Sequence, residues 1–150
     1  MKLEPSVLTR LVKSEDLNHH RTLFAGRAAS WLVEASFLAA ARLVGEPARV
    51  VCLQVHGMLF TRPARAGDIL EIRSRVAHLG SKSITVHTEC RRDGDADALV
   101  STFATFVVLG EHERAVPHGL VLSEAYIAAN QPICAAAAAL RATRPAVAGT

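Results

Sequence analysis

The chain is short of lysine, of cysteine and of long apolar runs, and each shortage removes a class of function. Lys2, Lys13 and Lys82 are its only lysines, so the net charge of +3 rests on arginine and forms no dense basic stripe. That balance suits attraction of an anionic small molecule and argues against a nucleic-acid partner. Cys52, Cys90 and Cys134 are odd in number and widely spaced. They form neither a disulfide framework nor a CxxC metal knuckle, and read as free thiols in a reducing compartment. Seven histidines are present, but no HxxxH or HExxH spacing occurs, and the adjacent His19-His20 pair diverges, so no metal is expected. Glycine-rich phosphate loops and a nucleophilic-serine elbow are also missing, and no cofactor is implied.

No apolar run reaches the roughly 18 residues that a membrane helix needs, and the alanines at 135–139 are far too few. The N-terminal Met1-Lys2-Leu3-Glu4-Pro5 has no apolar signal core, so a cytoplasmic location without membrane contact is the expectation. What is present is a globular composition, half hydrophobic and 21% charged, over 150 residues. That length fits one domain and leaves no room for a second core of ordinary size. The single domain is expected to have a core over about residues 6–110 and a helical tail over about 121–142.

Residues 6–12 mix apolar and polar types and read as a first strand, followed by a polar loop over 13–21. From Thr22 or Leu23 to Val44 runs the strongest element, a proline-free helix with Thr22 as a candidate cap and Gly45 and Pro47 as its stop. Its only charged residues are Arg27, Glu34 and Arg42. A helix apolar nearly all round must be enclosed by other structure. Small residues at Ala25, Gly26, Ala28, Ala29 and Ser30 would let a neighbouring backbone come close.

Four β-rich segments follow, at 49–60, 69–79, 83–92 and 98–109, with Gly57 a candidate bulge. The links at 80–82 and 93–95 are short, which makes the neighbours antiparallel. A last helix is expected over 123–141, interrupted by Pro132, before a disordered Arg-Pro-Ala end. A five-stranded sheet around one apolar helix is an α+β architecture. Its long edge strands need cover, and pairing with a second copy supplies it, so self-association is expected.

Three segments carry a family resemblance. Asn18-His19-His20-Arg21-Thr22-Leu23-Phe24-Ala25-Gly26 leads into the helix and resembles the N-H-x-G-T-L-F-G-G segment of hot dog fold acyl-CoA thioesterases. His56-Gly57-Met58-Leu59-Phe60-Thr61-Arg62-Pro63 with Ala66-Gly67-Asp68 is similar to the family's G-M-x-F-x-R-P and G-D segment. Leu79-Gly80-Ser81-Lys82-Ser83 is similar to its G-x-x-S hairpin. The resemblance implies a hot dog fold, with the long helix wrapped by the sheet, and an acyl-CoA substrate for a homo-oligomer of dimeric or higher order. Two positions depart from the pattern. Val33 stands where the family's W-M-D-E-A helix has its catalytic aspartate, with Glu34 beside it, and Arg21 replaces a glycine. Either Glu34 has taken over the role or catalysis is impaired or different.

Thioester hydrolysis needs a carboxylate that attacks or deprotonates water, and donors for the oxyanion. Glu34 is the only carboxylate of the helix, and burial there would raise its pKa toward a base's working range; the bland alternative is a glutamate paired with an arginine. The first-turn amides at Ala25 and Gly26 would hold the carbonyl oxygen, and Asn18 would orient the water or the carbonyl. His19 and His56 are candidate pocket residues, each equally readable as loop polarity or a satisfied strand histidine. Arg62, Lys82 and Ser83 are candidate contacts for coenzyme A phosphates, against the default reading of Arg62 and Lys82 as solvated surface charges. The rivals to hydrolysis are a non-catalytic acyl-CoA-binding protein and a hot dog acyl-thioester dehydratase or hydratase.

Overall fold

A computed structural model describes residues 3–143. Five strands, β1 (Ser6–Leu11), β2 (Val50–Phe60), β3 (Ile69–Leu79), β4 (Ser83–Arg92) and β5 (Val100–Val108), form one sheet in the order β1-β3-β4-β5-β2. Every pairing is antiparallel. One long helix, α1 (Ala25–Val44), lies across it, and two shorter helices, α2 (Glu124–Ala129) and α3 (Gln131–Thr143), follow the last strand. This is the helix-in-sheet arrangement of the hot dog fold. The register slips between Val55 and Met58 on β2, where Gly57 takes a φ of +84°, as the sequence suggested for a bulge.

The apolar face of the sheet and the inner stripe of α1 meet in two clusters. One gathers Trp31, Leu32, Leu70, Ile72, Cys90 and Leu99 near the start of the helix. The other gathers Ala40, Val76, Ile84, Val86 and Phe106 nearer its end. Between them three buried hydroxyls tie helix to sheet: Ser36 Oγ and Ser74 Oγ each lie 2.7 Å from Thr88 Oγ1. Ser36 also donates to the Leu32 carbonyl at 2.7 Å. The chain of hydroxyls satisfies its own members, so a polar layer is tolerated at the centre of the core.

Four expectations are corrected. α1 begins at Ala25, because Leu23 pairs with Leu17 in a β-bridge and its amide donates to Ala64 at 2.8 Å. Thr22 does not cap it: no side chain accepts from the first turn. The helix is not enclosed by its own chain, since one stripe is buried while Ser30 and Glu34 are exposed and Val33, Phe37 and Leu38 only half-buried. The tail helix breaks at Asn130 rather than at Pro132, which sits in the first turn of α3, where its missing amide costs nothing. The disordered end expected of the C-terminus lies outside the described residues.

Thr88→Val removes the shared partner of two buried hydroxyls and is expected to cost about 1–3 kcal/mol of unfolding free energy. Urea denaturation checks this; an unchanged midpoint would show that the hydroxyl chain contributes nothing net.

Candidate functional site

The segment before α1 is held extended by its own polar groups. Asp16, a buried carboxylate in a loop that reads as solvated, accepts from the Lys13 amide at 2.9 Å and meets Arg27 Nε at 3.3 Å. Its carbonyl accepts from the Phe24 amide at 2.9 Å. Asn18 organises the next turn: its side-chain oxygen accepts from the amides of His20 at 2.8 Å and Thr22 at 3.2 Å, while its Nδ2 donates to Thr22 Oγ1 at 3.1 Å. One Nδ2 hydrogen of Asn18 is left for a further acceptor. Arg21 sits between these bonds at φ +62°, the left-handed backbone that glycine adopts freely, at the position where the resembled segment has glycine.

These constraints deliver the chain to Ala25 with the amides of Ala25 and Gly26 unpaired among the described residues; the Arg27 and Ala28 amides already reach the Phe24 carbonyl, at 3.0 and 3.1 Å. Unpaired first-turn amides sit at the positive end of the helix dipole. Glycine at 26 leaves room for the neighbouring aromatic ring. A Cβ there would stand 2.6 Å from the Phe24 ring, which folds over it.

A cavity of about 300 Å³ opens at this point. Asn18, Thr22 and Ala25 line it from the loop and helix, Thr61 and Arg62 from the connection after β2, and Cys90 and Leu99 from the sheet side. Of the residues singled out in the sequence, Asn18, Ala25 and Arg62 are thus brought together, with Gly26 adjacent. Thr61 and Cys90 were not singled out as site residues, and Thr22 only as a helix cap. Cys90 had a signal, since alternation along β4 turns it inward with Ile84, Val86 and Thr88. Its thiol is pushed up to about 12 by burial.

The remaining candidates lie elsewhere. Glu34 is nine residues beyond Ala25, about 13 Å along the helix axis and half a turn round. Its carboxylate is 57% exposed and pairs with Arg10 Nη2 at 3.6 Å, so the dry setting expected of it is absent within one chain. Val33 is about 100° away on another flank of the helix. His19 and His20, both exposed, do not diverge as expected: their rings lie 3.9 Å apart between centroids, tilted by 44°. His56 lies near α3, its Nε2 2.7 Å from Thr105 Oγ1. Ser83 is buried rather than open to a ligand, because its hydroxyl accepts from Arg141 Nη1 at 2.9 Å. Lys82 is exposed in the β3–β4 turn, away from the cavity lining. Arg62 is itself engaged, 3.4 Å from Asp95 Oδ2 and donating to the Asp97 carbonyl at 2.7 Å.

Comparison with known proteins agrees with the fold. A family profile described as "Thioesterase superfamily" matches residues 20–99, just over half of the chain. An uncharacterized acyl-CoA thioester hydrolase, YkhA of Bacillus subtilis, is 27% identical over 122 residues, which span 79% of this chain and 70% of that protein. The acyl-CoA thioester hydrolase YciA of Escherichia coli is 33% identical over 85 residues, 55% of this chain and 61% of its own length. Among solved structures, an acyl-CoA hydrolase from Bacillus cereus superposes with a TM-score of 0.78 at 25% identity, covering 92% of this chain and 86% of that one. A hexameric acyl-CoA thioesterase superposes with a TM-score of 0.76 at 25% identity, covering 92% and 88%. No helix among the described residues is long and apolar enough to cross a membrane, and no cluster of metal-ligating side chains occurs among them.

Two outcomes follow from the site's geometry. Arg21→Gly relieves the left-handed backbone and is expected to raise stability by about 0.5–1 kcal/mol, read as a higher melting temperature; a lower one would mean that the arginine side chain outweighs its backbone cost. At pH 8 a thiol-specific reagent is expected to label exposed Cys52 while Cys90 stays protonated and unmodified until the chain is unfolded. Mass mapping of the labelled peptides checks this.

Proposed function

Because the chain belongs to the thioesterase superfamily, we propose that it binds an acyl-CoA with the thioester at the start of α1 and hydrolyses it to the free acid and coenzyme A. What supports this reading is that Asn18, with a spare Nδ2 hydrogen, and Ala25, with an unpaired amide, line one cavity, with the unpaired Gly26 amide next in sequence. Donors fixed in advance around a developing oxyanion cost no reorganisation when charge arrives, and one such donor contributes about 3 kcal/mol to a barrier. Water adds to the carbonyl carbon, the carbon–sulfur bond breaks, and the coenzyme A thiolate leaves and takes up a proton. The hydrolytic reading gives Glu34, the only carboxylate of α1, the role of base toward that water, or of a nucleophile whose acyl intermediate the water then opens. Lying about 13 Å along α1 from Ala25 and outside the lining of its own chain's cavity, it acts in this reading on the thioester held by a second copy. Arg62, on the cavity lining, supplies a cation for the phosphates of coenzyme A.

A second reading, binding without turnover, is favoured by one observation: none of the residues lining the cavity is a carboxylate, and the aspartate position of the resembled helix is Val33. Self-association belongs to either reading. β2 is an edge strand of 11 residues. Val51, Val55, Leu59 and Phe60 along it are 38–63% exposed. An edge of this length and apolarity is covered in soluble proteins, and a second copy of the chain is the proposed cover.

Thiol release from a panel of acyl-CoAs separates the two. Hydrolysis by Glu34 is expected to appear as turnover in the native protein that falls by at least about 100-fold in Glu34→Gln with oligomeric state unchanged. Acyl-CoA binding with no release on any chain length, together with release gained by Val33→Asp, would establish the binding reading instead. Turnover undiminished in Glu34→Gln would remove that residue from the mechanism.

A further inference from the structure

The cavity beside Ala25 changes character between its open side and its depth. Its polar lining residues, Asn18, Thr22, Thr61 and Arg62, are exposed or half-buried. Leu70, Cys90 and Leu99 on the sheet side and Ala28 on α1 are each at most 2% exposed. These four carry no charge, and they pack with Trp31, Leu32 and Ile72 in one buried cluster. The floor of the cavity is therefore apolar and closed by the chain's own core.

The floor is also fixed in place. Cys90 lies on β4, the middle strand of the five, opposite Ile72 of β3 and Val100 of β5. Its carbonyl accepts from the Leu99 amide at 2.7 Å. A strand paired on both edges inside a close-packed core yields little, so a ligand tail that reaches it meets a wall. The volume sets how soon that happens. About 300 Å³ is the low end of the roughly 300–1,000 Å³ that encloses small ligands. At about 30 Å³ for each water-sized group, such a space holds about ten groups. The sulfur and carbonyl of a thioester, with the two methylenes that precede the sulfur, use about half of them and leave about five tail carbons.

Resting on the acyl-CoA reading above, we propose that this cavity selects short acyl groups, straight, uncharged and no longer than about six carbons, with the tail running inward from Ala25 and stopping at the Cys90 thiol. Cys90 is then a specificity-determining residue that takes no part in the chemistry. A tail ending in a carboxylate is excluded, because nothing on the floor can pair with the charge.

Titration calorimetry of coenzyme A thioethers into the full-length protein tests this, since a thioether is not hydrolysed and reads the tail whether or not the chain turns over. Affinity, referred to that of coenzyme A for the same protein, is expected to rise about fourfold per methylene from ethyl to hexyl. From hexyl to octyl it is expected to fall at least about tenfold. Cys90→Leu, with a longer side chain on the floor, is expected to bring that break below hexyl. Cys90→Ala, with a shorter one, is expected to recover about fourfold for octyl. A carboxylate at the end of the butyl tail is expected to weaken binding at least about tenfold. Melting temperatures show that each variant is folded. The proposal is overturned if affinity goes on rising through octyl, if the break stays at one length in both variants, or if the carboxylate is accepted. Failure of coenzyme A and of every thioether to bind would instead remove the acyl-CoA reading itself, and the length limit with it.

Discussion

Everything the first cavity can do depends on how the chain is delivered to Ala25. A helix usually meets its first-turn amides with a capping side chain, and that cap would remove the donors a carbonyl oxygen needs. Here the polar residues that could cap are committed elsewhere. Asp16 is spent on the Lys13 amide and Arg27, and Asn18 and Thr22 on each other. The backbone of residues 22–24 is then pinned by bonds to Asn18, Ala64 and Asp16 at 2.8–2.9 Å. The helix starts where these bonds end, uncapped, with two amides left over beside a cavity.

The same delivery fixes the rest of the core. With its first turn pinned, α1 presents Ala28, Leu32, Ala35 and Ser36 to the sheet in helical spacing, and Ser36 falls opposite Thr88. Rotating the helix would break that buried hydrogen bond, which favours this azimuth. That azimuth places Glu34 on the flank toward Arg10 of β1 and Val33 on another. The donors proposed to hold a carbonyl therefore all belong to one protomer, while no carboxylate lines the cavity beside them.

Much of the fold was legible because local signals agreed with the tertiary outcome. Gly45 ends α1 at φ +81° with its amide on Ala41, as a glycine stop should. The two short turns between strands gave the antiparallel order, and Gly57 its bulge. The start of α1 was not legible, since Thr22 and Leu23 look helical until their partners Asn18, Leu17 and Ala64 are known. Nor was the orientation of single side chains. Sequence gives Glu34 as a residue one place from Val33, but one place on a helix is about 100° of rotation. Ser83 looked like an exposed hairpin hydroxyl because Arg141, the residue that covers it, lies 58 positions later. Nothing in the sequence marked Asp16 within the polar loop as buried, because its cation is supplied by α1.

The claim at the centre of this account is that the amides of Ala25 and Gly26 meet a thioester carbonyl. The most direct measurement is the infrared stretch of a carbonyl-13C-labelled acyl-CoA bound to excess protein, taken as a difference from the unlabelled ligand. Donation from two amides and Asn18 weakens the carbonyl bond, so the band is expected to move to lower frequency than in water and to move partway back in Asn18→Ala. A band at or above its frequency in water, with the ligand fully bound, would contradict the account and place the thioester elsewhere on the molecule.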